Sequence, residues 1–316
     1  MNKKKAVLLS VGALGTLSVS ALSIIGNYFY NLALNPKTSK EVIFSSTTDA
    51  NSTSGEVVNE DLKWLSEKSN YTDVYIKSSD KLSLHGYKIL NENLTDNWVI
   101  TVHGYTSKGY DMAKYAKHFY DMGYNVLIPD LRGHGKSEGN YIGMGWDDRL
   151  DIIKWIDTIV KNNNNSNIIL HGVSMGAATV SMTSGEELPQ NVKAIISDCG
   201  YTSVWAQFSH QLKSLYSLPN FPVMNASSVV AKYKAGYSFK EASAVKQVSK
   251  SKTPILFIHG DEDDFVPYSM MDELYNAANC EKEKLTIKGA SHANSSNVNP
   301  ELYWSTVITF INKYIN

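Results

Sequence analysis

Cysteine is scarce in this sequence, with only Cys199 and Cys280 among 316 residues, far apart and outside any clustered spacing. That excludes a disulfide-stapled scaffold and argues against a cysteine-based zinc site or redox pair, so free thiols are expected, with one bridge as the alternative. Net charge is equally scarce. The 30 Lys and Arg against 31 Asp and Glu leave a formal charge of −1, which provides no broad basic face for nucleic acid and no acidic tail. Internal repeats and low-complexity domains are absent, Asn162–Asn165 being a local polar turn.

Long apolar runs are also missing, with one exception. Lys3, Lys4 and Lys5 precede an uncharged, largely apolar stretch from Ala6 to Ile25, followed by Asn27, Tyr28, Phe29 and Tyr30. Roughly 20 apolar residues suffice for a helix to cross a bilayer core. The lysines would stay cytoplasmic and the aromatic residues would sit at the far interface, so residues 1–30 are expected to be an uncleaved signal anchor holding the rest outside the cell membrane. Ser20–Ala21 is a passable cleavage site, which makes secretion after cleavage the alternative. From Thr38 to Glu56 the composition turns to Ser, Thr, Asn and Asp. Residues 31–56 therefore read as a linker and 57–316 as one folded domain, long enough to bury a large core.

Within that domain, short β-branched runs alternate with segments of helical period, the pattern of a mostly parallel sheet covered by helices. Antiparallel entry strands are expected at Thr72–Lys77 and Leu82–Leu90. The main sheet is expected from Trp98–Val102, Asn125–Pro129, Ile168–His171, Ala194–Ser197, Pro254–His259 and Lys284–Ile287. Helices fall at Lys108–Met122, Trp146–Val160, Met175–Glu187, Ser269–Ala278 and Glu301–Tyr314. One interval breaks the alternation. Residues 201–250 carry Trp205, Phe208, Leu212, Leu215, Tyr216, Phe221, Val223 and Met224, interrupted by Pro219 and Pro222. A structureless loop of that length is improbable in a compact domain, so the segment reads as a helical lid over the carboxyl edge of the sheet, its apolar face lining a pocket.

The chemistry centres on Gly172-Val173-Ser174-Met175-Gly176, after a strand and at the start of a helix. A strand that turns sharply into a helix needs glycines on both sides of the turn residue, and the serine is left exposed at the tip. A serine hydroxyl is a weak nucleophile and requires a base held by a third group. In strand-to-helix serine sites the acid and then the histidine follow in chain order. Of the histidines after Ser174, His259 ends a buried strand and His210 lies in the lid, whereas His292 follows the last strand in a loop and is expected to be the base. The acid belongs after the preceding strand, where Asp261, Glu262, Asp263 and Asp264 crowd together; Asp198 is a weaker alternative.

The segment His259-Gly260-Asp261-Glu262-Asp263-Asp264-Phe265-Val266-Pro267 resembles the His-Gly-x-x-Asp-x-x-Val-Pro pattern of the α/β-hydrolase superfamily. The resemblance implies an α/β-hydrolase fold and puts the acid at Asp263, with Asp264 as fallback. His103-Gly104-Tyr105-Thr106 resembles the family's oxyanion loop, which implies that the backbone N–H groups of Tyr105 and Met175 would hold a developing oxyanion. Asp130-Leu131-Arg132-Gly133-His134-Gly135-Lys136-Ser137 is a third likeness, in which His134 and Arg132 read as structural. The likeness runs from about Val74 to the C-terminus. It is similar to membrane-anchored bacterial hydrolases of the serine aminopeptidase-like or Bem46-like kind.

The expected reaction is therefore acyl transfer on a small-molecule ester of small or medium acyl group, with no metal or organic cofactor. A serine nucleophile argues against the dehalogenase and epoxide hydrolase chemistries of the superfamily, which use aspartate there. Cleavage of short peptides is the alternative, but Glu241 is the sole acid between Tyr201 and Lys252 available to bind a free amine. A non-catalytic surface binding protein is the rival from another class; such proteins typically lose part of the triad, which this chain retains.

Overall fold

The computed structural model describes residues 20–44 and 60–315. Eight strands form one sheet: β1 (Thr72–Lys77), β2 (Ser83–Ile89), β3 (Asn97–Val102), β4 (Asn125–Pro129), β5 (Asn167–Val173), β6 (Val192–Asp198), β7 (Ile255–Gly260) and β8 (Lys282–Ile287). Their spatial order is β1-β2-β4-β3-β5-β6-β7-β8, with β2 antiparallel to both neighbours and the remaining pairs parallel. This is the α/β-hydrolase arrangement expected from the sequence.

The parallel strands are apolar on both faces because helices cover both. Side chains alternate across the sheet with period two. Ile100, Val102, Leu127, Leu170 and Ile195 bury into one core with α5 (Asp148–Asn162) and α6 (Met175–Thr183). Val99, Val126, Ile128, Ile169 and Ile196 bury into the other with α4 (Ala113–Asp121) and the C-terminal helix Pro300–Ile311. A short helix, α3 (Glu60–Glu67), adds Trp64 and Leu65 to that second core. Register aligns the carboxyl ends: Val102 pairs with Gly172, Val173 with Asp198, and Gly260 with Ile287. Loops after five parallel strands, β3, β5, β6, β7 and β8, thus emerge at one edge, where this class of sheet places its ligands.

Residues 201–250 are helical as expected, folding into α7 (Val204–Tyr216), α8 (Val223–Ala235) and α9 (Ala244–Val248) over that edge. Not all of their aromatic residues face inward. Phe221 is exposed, and Trp205 lies under the Lys240 ammonium at 4.4 Å.

The N-terminal segment departs from expectation. Residues 20–34 are helical (α1), and a further short helix, α2, covers Glu41–Phe44. Among the described residues no helix is long and apolar enough to cross a membrane, and residues 1–19, most of the apolar run, lie outside them. Phe29 and Tyr30, expected at a membrane interface, instead pack on the folded domain: Tyr30 is buried, and the Phe29 ring meets Tyr216 of α7 edge-on at 5.5 Å. Residues 31–44, read as the start of a linker, also pack, with Leu34 and Ile43 in the core and the Leu34 carbonyl accepting from Ile142 N–H at 2.8 Å. The physical reason is apolar area, since full burial of one leucine stabilises by about 1.5–3 kcal/mol.

Candidate active site

Ser174 sits between β5 and α6 with φ 57° and ψ −117°, a strained conformation for a non-glycine residue. The flanking glycines permit it. A Cβ on Gly172 would stand 2.2 Å from the Gly176 carbonyl oxygen, and one on Gly176 only 2.0 Å from that of Val102. The Ser174 N–H is tied to the Asp198 carbonyl at 2.8 Å, which fixes the turn to the neighbouring strand.

His292 comes from the loop after β8 and Asp263 from the loop after β7. Two bonds lace these loops together: Gly289 N–H to the Asp261 carboxylate at 2.6 Å and Glu262 N–H to the Ala290 carbonyl at 3.1 Å. His292 Nε2 lies 2.8 Å from Ser174 Oγ, and its Nδ1 lies 2.7 Å from Asp263 Oδ2. A carboxylate opposite Nδ1 requires the proton there, so the Nε2 lone pair faces the serine hydroxyl. The structure thus brings together the three side chains expected from the sequence.

Asp263 is buried and heavily bonded. Its Oδ1 accepts the N–H groups of Phe265 at 3.0 Å and Val266 at 2.8 Å. Burial pushes its carboxyl up, but hydrogen bonds from His259 and His292 outweigh that and hold it at about 2. His259 is the partner that sequence reasoning missed. Its Nε2 is 3.1 Å from Asp263 Oδ2 and 2.9 Å from the Val266 carbonyl, so it braces the acid as well as closing a strand. The four-residue spacing from His259 to Asp263 was the available signal.

The alternatives fall elsewhere. The Asp264 backbone carbonyl accepts from His210 Nε2 of α7 at 2.7 Å, so that histidine pins the lid rather than serving as base. Asp198 is buried at the end of β6, and burial raises its carboxyl to about 6. Arg132 is held by the Asp151 carboxylate through Nε and Nη2 at 2.9 Å each, and His134 turns back to the Arg132 carbonyl at 3.1 Å, as a structural role requires.

The loop after β3 runs beside the serine, since a Cβ on Gly104 would lie 3.4 Å from Ser174 Cβ. His103 braces this loop. Its Nδ1 faces the Gly104 carbonyl at 2.8 Å and its Nε2 accepts the Leu131 N–H at 3.0 Å, which fixes a neutral tautomer. Burial and the nearby His134 lower its pKa to about 3. Tyr105 follows in this loop, and Met175 opens α6, where first-turn N–H groups have no partner within the helix.

A cleft of about 780 Å³, mouth included, leads from Ser174 and Met175 between the lid and α1. Its wall is formed mainly by apolar side chains such as Phe208, Leu212 and Leu215 of α7, and no charged side chain lines it among the described residues. The lid is held to the acid loop by Gln207 and Gln211, whose Nε2 groups each donate to the Phe265 carbonyl at 2.8 Å. Among the described residues the one group with metal-ligand spacing is Cys199, Asp263 and His292. It suits a cation poorly: burial raises the Cys199 thiol well above its usual range, and His292 Nδ1 is engaged by Asp263. Cys199 and Cys280 are both free thiols.

Comparison with known proteins bears on the family and the fold. A family model described as serine aminopeptidase, S33, matches residues 95–232. The uncharacterized protein YqkD of Bacillus subtilis (strain 168) is 30% identical over 308 residues, 97% of each chain. The Pyrococcus furiosus esterase Pf2001 is similar with a TM-score of 0.65 and 25% identity, over 83% of this chain and 96% of that one. The lysophosphatidylserine lipase ABHD12 of Xenopus tropicalis is 28% identical over 162 residues, 50% of this chain and 40% of that protein.

Proposed function

Because the chain belongs to the α/β-hydrolase superfamily, we propose that it is a serine hydrolase that cleaves carboxylic esters of small or medium acyl groups through an acyl-enzyme. The observation that carries this is the continuous relay from Ser174 Oγ to His292 Nε2 at 2.8 Å and from His292 Nδ1 to Asp263 at 2.7 Å. His292 takes the serine proton as Oγ attacks the acyl carbonyl, and the Asp263 carboxylate stabilises the imidazolium. The N–H groups of Tyr105 and Met175 hold the oxyanion. The imidazolium then protonates the departing alcohol. Water, deprotonated by His292, attacks the acyl-enzyme and releases the acid.

The uncharged cleft supports an ester over a peptide with a free amine. Glu241, the acid that a peptidase would need, is exposed and paired with Lys232 at 2.9 Å, and it lies outside the cleft lining. That the neighbour Pf2001 is named an esterase and ABHD12 a lysophosphatidylserine lipase agrees with this preference. The Lys3–Lys5 cluster and the apolar run behind it further suggest a catalytic domain held outside the cytoplasm, which protease accessibility in intact cells tests.

A fluorophosphonate probe tests the chemistry. It should label the protein at Ser174 and lose that reaction in Ser174→Ala; a folded wild-type protein that stays unlabelled would favour a binding module. Faster cleavage of aminoacyl-nitroanilides than of p-nitrophenyl esters would favour the peptidase.

A further inference from the structure

We infer that α1 is a wall of the acyl-binding site and sets the length of acyl chain accepted, the substrate being an ester of a single unbranched chain of medium length. The inference rests on the reading of Ser174 as an acylating nucleophile, but its observations concern α1. Phe29, Leu32 and Ala33 line the same cleft as Ser174. Ala33 is tied to the reacting end: the Tyr105 hydroxyl donates to its carbonyl at 2.7 Å. Phe29 lies one helical turn away, against Tyr216 at the far end of α7.

The helix is held from several sides, so its lining residues have defined positions. A Cβ on Gly26 would come within 2.8 Å of the Ala226 backbone, so α1 and α8 meet backbone to backbone, as only glycine allows. Lys234 of α8 donates to the Asn27 side chain at 2.6 Å and stands 5.0 Å from the Tyr30 ring centre. At the other end, Lys40 Nζ donates to the carbonyls of Leu32 at 2.6 Å and Asn35 at 2.8 Å, closing the C-terminus of the helix.

These clamps give the chain a measured channel. From Phe208 to Tyr216 the α7 wall advances about 12 Å at 1.5 Å per residue. An extended acyl chain leaving Ser174 runs along that wall with α1 opposite. A segment that looked like a tether is thus part of the specificity machinery.

The test compares the full-length protein with Ala33→Phe and Phe29→Ala on p-nitrophenyl acetate, butyrate, octanoate, laurate and palmitate. Ala33→Phe fills the channel near the reacting end, so the octanoate-to-acetate ratio of kcat/KM should fall about tenfold or more, since several methylenes lose their burial. Phe29→Ala opens the far end and should raise laurate relative to octanoate about threefold or more. Unchanged chain-length profiles in both folded variants would overturn the inference. A second measurement does not need turnover: in a Ser174→Ala background, Ala33→Phe should weaken binding of octanoate, read by titration calorimetry, about tenfold. Equal binding with and without Ala33→Phe, or no binding by Ser174→Ala itself, would also overturn it. If wild type hydrolyses none of the esters yet Ala33→Phe weakens fatty-acid binding, the wall stands and only the reaction is lost.

Discussion

Asp263→Asn perturbs the proposed relay at its most constrained point. The Asp263 Oδ1 position accepts the N–H groups of Phe265 and Val266, so asparagine must keep its oxygen there and place its nitrogen where Oδ2 was. That nitrogen only donates. It would face His292 Nδ1 across 2.7 Å and His259 Nε2 across 3.1 Å. His292 must then carry its proton on Nε2, where an N–H points at Ser174 Oγ and no lone pair remains to receive the serine proton. The kcat for p-nitrophenyl butyrate should fall about 10⁴-fold, as expected when the base is locked in the wrong tautomer. Stability should change as well. The wild-type carboxyl is held at about 2, below its ordinary 3.8, and a depression of that size corresponds to about 2 kcal/mol of folding free energy. Because the folded-state pKa is the lower one, that contribution is fully present above about pH 4 and is lost as pH falls toward about 2. Urea unfolding should therefore show the variant less stable by about 2 kcal/mol at neutral pH, the gap narrowing through that acid window. A folded Asp263→Asn protein with kcat within tenfold of wild type would refute the relay, and loss on Asp264→Asn instead would transfer the role to the neighbouring carboxylate.

Two further outcomes follow from the packing around the site. Gly176→Ala places a methyl 2.0 Å from the Val102 carbonyl oxygen, backbone against backbone; a loss above about 4 kcal/mol is expected, read as a collapse of the urea midpoint or of soluble yield. Replacing both Gln207 and Gln211 by Leu removes the two 2.8 Å bonds from α7 to the Phe265 carbonyl. Each is worth about 1 kcal/mol, and a double-mutant cycle should show the two substitutions coupled rather than additive, with faster amide exchange in the acid loop.

Most of the fold can be read from sequence because its signals are local. The runs at Ile168–His171 and Ala194–Ser197 are apolar on both faces, which only a covered parallel sheet demands, and the strands extend them by a residue or two at each end, to Asn167–Val173 and Val192–Asp198. Gly172 and Gly176 announce Ser174 because the turn excludes side chains within a few residues of itself. Where the deciding contact is remote, the signal fades. The end of α6 at Thr183 rather than Glu187 has one local cue, Gly185, whose reason is remote: its backbone lies against Gln247 of α9, where a side chain would not fit. His259 looks like a strand terminus until β7 and its following loop turn its ring onto Asp263. The acid itself needed a family likeness to choose among four adjacent carboxylates.

Helix α1 is the sharpest instance, because an apolar pattern states that a surface must leave water without stating what will cover it. Ile25, Phe29 and Leu32 would satisfy a bilayer and a lid equally well. Three features separate the two readings, and each acquires meaning only through its distant partner: Gly26 against Ala226, Lys40 folding back on the Leu32 carbonyl, and the Tyr105 hydroxyl reaching Ala33. A lipid-facing helix has no use for a lysine cap on carbonyls or a bond from a tyrosine of the loop after β3. A helix that lines a cleft needs both, since one that drifted by a turn would no longer set Phe29 against Tyr216. The same residues can still continue an apolar run toward a membrane, because the bilayer and the pocket make demands on successive parts of one segment.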